Sequence, residues 1–235
     1  MRRSRAVLAL PLLSLLISGC SGSDSGGDGG GGVDADPQEL VATAQESFAG
    51  AGTVAVKLTS DGAPKDANGV TAAKGDGVID ATTPKFQGTI TGTVNGVTGE
   101  LQIIAIGEQT WLKFFTPDYN PIDMSTLGAP NPAMLFHPES GLPGLIGKTT
   151  DLKAGEQKRA GSEVLSEVSG KLPGSEIQTL LALGDGPGEF DVTYGVTDDG
   201  ELRTAVLTGP FYTDAEASYT FEVSDYGKSV EISEP

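Results

Sequence analysis

Phe86-Gln87-Gly88-Thr89-Ile90-Thr91-Gly92-Thr93-Val94-Asn95-Gly96-Val97-Thr98-Gly99-Glu100-Leu101-Gln102-Ile103-Ile104-Ala105 is the stretch that decides the fold. On its first arm Phe86, Gly88, Ile90, Gly92 and Val94 alternate with Gln87, Thr89, Thr91 and Thr93. On the return arm Val97, Gly99, Leu101, Ile103 and Ala105 share one face. A period of two puts alternate side chains on opposite faces of a strand. Asn95-Gly96 is the dipeptide that tolerates the positive φ angles of a tight type I′ turn. The stretch therefore reads as an antiparallel hairpin with one apolar and one polar face. The apolar face has to be buried, so the rest of the chain is read for what extends the sheet and what covers it.

Strand patterns lie on both sides. Val54, Val56 and Leu58 alternate with Ala55, Lys57 and Thr59. Residues 61–74 read as a loop and 77–81 as a short strand, turned by Thr83-Pro84. Gly107-Glu108 turns the hairpin into a further strand at 111–115. Strands resume at 150–157, turn at Ala160-Gly161, and return with Val164, Ser166 and Val168 on one face. Four more runs follow at 189–197 (with Val192 on its apolar face), 201–208, 218–224 and 229–232, the first two joined by Asp198-Asp199-Gly200. That makes roughly ten strands, and their short connections require antiparallel pairing.

Helical signals are few. Asp36 is an N-cap followed by Pro37 at the first helical position and Glu39 as the partner of a capping box. Leu40, Val41, Ala44 and Phe48 make one stripe, ended by Gly50 and Gly52. The strand pattern breaks over 118–147, where five prolines accompany short helical pieces at 131–136 and 141–146. A last helix is read at 173–183. The fold class is α+β: a strongly curved antiparallel half-barrel wrapping these few helices on its concave side.

Gly88, Gly92 and Gly99 sit among larger apolar residues on the inward face. A glycine inside a strand marks a bend or a close backbone approach, so a curved sheet over a filled core and a sheet over an open cavity both remain. A large sheet with only short helices to fill it favours the cavity, because ligand sites are often barrel mouths. Its expected lining is Val54, Val56 and Leu58, then Phe86, Ile90 and Val94, then Leu101 and Ile103, with Val192 from a later strand. The helical piece at 141–146 contributes Leu142, Leu145 and Ile146.

Catalytic patterns are missing from this region. His137 is the only histidine and is followed by Pro138, which reads as a loop position. No Gly-x-Ser-x-Gly elbow and no clustered metal-ligand pattern is present, so neither enzymatic activity, metal nor cofactor is expected. Trp111 reads as a packing or edge aromatic rather than a binding one.

The N-terminus gives the location. Arg2, Arg3 and Arg5 precede an apolar run from 6 to 17, which leads into Leu15-Leu16-Ile17-Ser18-Gly19-Cys20. The run is shorter than the roughly 20 apolar residues that span a bilayer. Together with the chain's only cysteine it reads as a lipobox. Residues 1–19 are then a signal peptide, cleaved before Cys20, whose thiol carries a diacylglycerol. Residues 20–35, rich in Gly, Ser and Asp, form a tether with an r.m.s. coil reach of roughly 20 Å, and 36–235 form a single domain. The expected location is the extracytoplasmic face of the cell membrane. Without the three arginines the chain has 12 basic against 32 acidic residues, a net charge near −20. That excludes nucleic acid, which needs a basic footprint, and docking by charge on anionic lipid heads. With Cys20 acylated no disulfide is available. The scarcity of lysine beside abundant Gly, Ala and Asp fits a high-GC bacterium.

The lipobox, the tether, the first helix and the segment 128–146 resemble the LppX/LprAFG family of actinobacterial lipoproteins. Asn131-Pro132-Ala133-Met134-Leu135, Pro138 and Gly141-Leu142 follow the family's order, and Tyr226-Gly227-Lys228-Ser229-Val230 resembles its aromatic-Gly-x-x-Val ending. The resemblance runs from Asp36 to the end. It implies a half-barrel with a hydrophobic cavity. It also implies that the chain binds acylated lipids or glycolipids, among them phospholipids and triacylglycerols, and moves them across the cell envelope with a membrane transporter as a further partner. Gly195, between Tyr194 and Val196, stands where a bulkier residue is expected. The reading from a different class is an envelope interaction protein with a solid core and an acidic outer face.

Overall fold

A computed structural model describes residues 36–235 apart from 66, 95, 115–116, 184–187 and 214. The signal peptide, Cys20 and the tether lie outside the described residues, as does Asn95 of the hairpin turn.

The chain opens with α1 (Pro37–Gly50). Asp36 Oδ1 accepts the Gln38 N–H at 2.9 Å, and Val41, Ala44 and Phe48 are buried while Leu40 packs at the core's edge. Strands β1 (Thr53–Asp61), β2 (Gly69–Val78), β3 (Lys85–Val94), β4 (Val97–Ile106), β5 (Gln109–Lys113) and the short β6 (Asn120–Pro121) follow. Single 3₁₀ turns at Met124–Leu127 and Pro132–Phe136 lead to α2 (Leu142–Ile146). Then come β7 (Thr150–Ala160), β8 (Glu163–Pro173), α3 (Gly174–Leu181), β9 (Glu189–Val196), β10 (Leu202–Tyr212) and β11 (Ala215–Ser224).

All eleven strands form one sheet in the order β6-β5-β4-β3-β2-β1-β11-β10-β9-β8-β7, antiparallel throughout. It is open, with β6 and β7 at its edges. Each half is a meander of neighbouring strands, and the first and last strands join the halves. The β3–β4 hairpin pairs Phe86 with Ala105, Ile90 with Leu101 and Val94 with Val97, the register set by the sequence pattern. The outer face carries polar cross-strand pairs such as Lys57–Glu222 at 2.8 Å. Its strongest ionic cluster is Arg203, held by Glu163 through two hydrogen bonds and by Glu201 at 2.7 Å.

Three strand readings differ from the structure; residues 79–81, read as part of a short strand, lie past the end of β2 at Val78. Residues 69–74, read as loop, belong to β2: β3 pairs along the segment from Gly69 and β1 joins from Ala72, so neighbouring strands make a strand of a segment whose small side chains carry little periodicity. Residues 229–232, read as a strand, pair with no strand. There Ile232 is buried and its carbonyl accepts from Lys85 Nζ at 2.9 Å.

The glycines of the inner face are sites of close approach. A Cβ on Gly88 would collide with the Lys74 carbonyl of β2 and come 2.9 Å from Phe86 Cζ. On Gly92 it would lie 2.8 Å from the Gly69 carbonyl, and on Gly99 it would meet the Phe114 ring at 2.9 Å. At Gly77 the ring of Phe136 occupies the place of a side chain. That ring then stacks on Phe86, centroids 5.7 Å apart and planes 7° from parallel. Glycines thus let β2 and β3 press together and give the covering segment a socket.

Candidate functional site

The concave face and the segments over it enclose a cavity of about 350 Å³. The sheet supplies Val56 and Leu58 of β1, Phe86, Ile90 and Val94 of β3, Leu101 and Ile103 of β4, and Tyr219 and Phe221 of β11. The covering side supplies Met124, Leu127, Leu135 and Phe136 from the two 3₁₀ turns, Leu142, Leu145 and Ile146 of α2, and Phe48 of α1. Leu181 and Leu183 close it beside α3.

The cover is pinned by short polar contacts. Asn131 Oδ1 accepts the Ala133 N–H at 3.0 Å, capping the turn, while its Nδ2 donates to the Gly107 carbonyl at 2.8 Å. The amide therefore ties the covering segment to the β4–β5 turn, which gives Asn131-Pro132-Ala133 a structural task. Asp123 Oδ1 caps the preceding turn by accepting the Ser125 N–H at 2.9 Å. Hydrogen bonds from the Ser125 hydroxyl and then from its backbone N–H hold the Asp123 carboxyl below its ordinary range.

The polar atoms on the cavity wall are spoken for. Tyr219 OH donates to the Val70 carbonyl at 2.9 Å, so the 2.6 Å contact with Tyr212 is a hydrogen bond donated by Tyr212. Tyr194 OH pairs with Thr149 Oγ1 at 2.7 Å. Burial pushes Tyr194 up to about 12 and raises Tyr219 as well, so both are neutral. A wall of aliphatic and aromatic carbon whose few hydroxyls already have partners offers dispersion contacts and escape from water, with little for a polar solute to bind.

Ten of the twelve residues read from the sequence as cavity lining are on its wall: Val56, Leu58, Phe86, Ile90, Val94, Leu101, Ile103, Leu142, Leu145 and Ile146. Val54 and Val192 are core instead, each 1% exposed. Val54 pairs with Gly77, over which Phe136 sits. Val192 pairs with Gly170, where Thr149 and Leu152 Cδ2 fill the space above the strand. Sequence reading missed Tyr219 and Phe221, whose alternation over 218–224 was visible, and the 3₁₀ residues, whose burial no periodicity announces. Gly195 faces away from Tyr194 and the cavity. A Cβ there would meet Thr204 Oγ1 at 2.5 Å and Leu165 Cδ1 at 3.1 Å, where the β9–β10 register shifts. Its small size serves that irregularity and leaves the cavity unchanged.

His137 ends the second 3₁₀ turn, and its Nδ1 accepts the N–H groups of Glu139 and Ser140 at 3.2 Å each. It is a turn-forming acceptor outside the cavity wall. Trp111 is half-buried on β5, opposite Ile104, and also lies off that wall. Among the described residues no group of three or more His, Cys, Asp or Glu could hold a metal ion, and no helix is long and apolar enough to cross a membrane.

Comparison with known proteins follows the same architecture. The chain is similar to the crystal structure of LprF from Mycobacterium bovis, at 14% identity and a TM-score of 0.71 over 85% of this chain and 96% of that one. It is also similar to lipoprotein LppX from Mycobacterium tuberculosis, at 16% identity and a TM-score of 0.62 over 84% of this chain and 98% of that one. At these identities the likeness shows the shared fold. A search of the curated proteins finds no match. The family model of the LppX_LprAFG lipoproteins matches residues 36–232, essentially the whole described domain, and the chain belongs to that family.

Proposed function

We propose that this chain is a non-enzymatic lipid carrier, anchored by acylated Cys20 to the extracytoplasmic face of the cell membrane. Its cavity would hold the acyl chains of a lipid or glycolipid during movement across the cell envelope, handed on by a membrane transporter. The observation that supports this reading is the apolar cavity of about 350 Å³, with its hydroxyls already paired. That volume lies within the range of about 300–1,000 Å³ typical of small-molecule sites. The roughly 14 methylenes that such a volume takes, at about 0.8 kcal/mol each, offer roughly 11 kcal/mol of gross burial, ample after ordering costs. The cavity favours this reading over the alternative of a solid-core interaction protein.

Organic extraction of the purified full chain, followed by mass spectrometry, tests the carrier reading. It should yield a lipid beyond the chains covalently held at Cys20. A protein that purifies empty and takes up no fluorescent acyl probe refutes it. Cys20→Ser should release the protein from membranes or leave it as an uncleaved precursor, and normal processing with lipid label still attached would reject the anchor.

A further inference from the structure

On its β3–β4 side the cavity wall, which there also carries Asn68 and Thr93, runs on into exposed apolar side chains. Along the inner face of this hairpin the cross-strand pairs run Ile90–Leu101, Gly92–Gly99 and Val94–Val97 toward the turn, and the Phe114 ring packs over Gly99. Val94 lines the cavity and is also 39% exposed, Val97 is 62% exposed, and Phe114 is 37% exposed. These are the exposed large hydrophobic side chains among the described residues. Single surface hydrophobics are ordinarily scattered. Here all three belong to one end of one face, continuous with the cavity.

Charge points the same way. The stretch from Phe86 to Gly99 has no charged residue, in a chain of formal net charge −17. The Thr93 and Thr98 hydroxyls bond each other at 2.7 Å across the hairpin, so these polar groups carry their own partners into a medium without water. A stable protein interface takes about 800 Å² from each partner, far more than three side chains present. An uncharged apolar wedge suits a lipid surface.

We propose that the β3–β4 hairpin tip is a membrane-docking surface, dipping Val94, Val97 and Phe114 into the bilayer so that an acyl chain passes along the hairpin's inner face without crossing water. The proposal rests on the carrier reading and names the place of loading and release. The anchor permits it. Ala51 leads from α1 directly to β1 at Thr53, and Thr43 packs on Gly200, so α1 lies at the far end of the strands from the tip. A strand of ten residues is roughly 33 Å long, whereas residues 20–35 can extend to about 55 Å.

The test uses the anchored full chain. With Cys20 acylated, Val97→Cys provides one free thiol for an environment-sensitive fluorophore, and Asp199→Cys, on the β9–β10 turn, is the control. In vesicles of neutral phosphatidylcholine containing nitroxide lipid, the label at 97 should shift to the blue and be quenched, and the label at 199 should do neither. Val97 is off the cavity wall, so Val97→Asp should retain acyl-probe affinity while transferring the probe between vesicles about tenfold more slowly. A label at 97 that stays in water, or a Val97→Asp protein that transfers at the parent rate, overturns the proposal and leaves a protein partner as the occupant of the tip. Failure of the carrier reading shows separately, as no probe uptake by the parent. Failure of the anchor shows as fluorophore on Cys20.

Discussion

Ile90→Trp separates a cavity that accepts acyl chains from one that is merely a packing fault. Ile90 stands on the cavity floor between the pairs Gly88–Ile103 and Gly92–Gly99, opposite Leu101. Tryptophan exceeds isoleucine by about 60 Å³, roughly two water-sized volumes of about 30 Å³. The cavity of about 350 Å³ can take that increment. It displaces the room of two to three methylenes, which at about 0.8 kcal/mol each is roughly 2 kcal/mol. The Kd for a fluorescent acyl probe should therefore rise about thirtyfold. Stability should hardly move, since the new ring enters empty apolar space. In a filled core the same change overpacks by about 1–3 kcal/mol, or about 2–12 °C in Tm for a domain of this size. Probe titration and thermal unfolding monitored by circular dichroism decide between them. A Tm drop in that range with unchanged probe affinity would refute the reasoning.

Tyr194, raised to about 12 from 10.0, keeps its proton in the folded state after unfolded tyrosines have lost theirs. Its contribution, about 3 kcal/mol, is therefore full below pH 10 and is lost as pH rises toward 12. Urea midpoints measured across that window should fall with pH, and Tyr194→Phe should flatten the slope. Gly77→Ala should force the Phe136 ring off its socket and cost about 1–3 kcal/mol, seen as a lower Tm and a weaker hold on acyl probe. His137→Ala should remove the acceptor of two backbone N–H groups and cost about 1 kcal/mol; probe affinity within twofold of the parent would confirm that the imidazole only shapes the turn.

The curved sheet was legible because the segments that form its β3–β4 hairpin alternate cleanly and are separated by the dipeptide Asn95-Gly96. The inward face of β3 and β4 could be read residue by residue from that parity, which is why Ile90, Val94, Leu101 and Ile103 were found. Parity says which face a side chain occupies, but it cannot say how far along the strand the cover reaches. Val54 and Val192 share the inward face with true wall residues and are buried by Phe136 and by Thr149 and Leu152 instead. The cover itself resisted reading for another reason. Its 3₁₀ turns are too short to show a helical period, and they are placed by distant polar ties such as Asn131 to Gly107. Residues 69–74 were missed because what makes them a strand is pairing with β3 throughout and with β1 from Ala72, which the local sequence does not carry.

The pairing of β1 with β11 has a consequence for synthesis. Leu58 lies opposite Phe221, and among the described residues this is the strand pairing that joins the two meanders into one sheet. While the chain emerges, the first meander presents a bare β1 edge and half a cavity until nearly the last residues arrive. The cavity can thus be completed only in a finished polypeptide. A chain terminated before β11 would lose more than its last strand: the two halves would have no common sheet, and the exposed β1 would invite pairing with a second unfinished molecule.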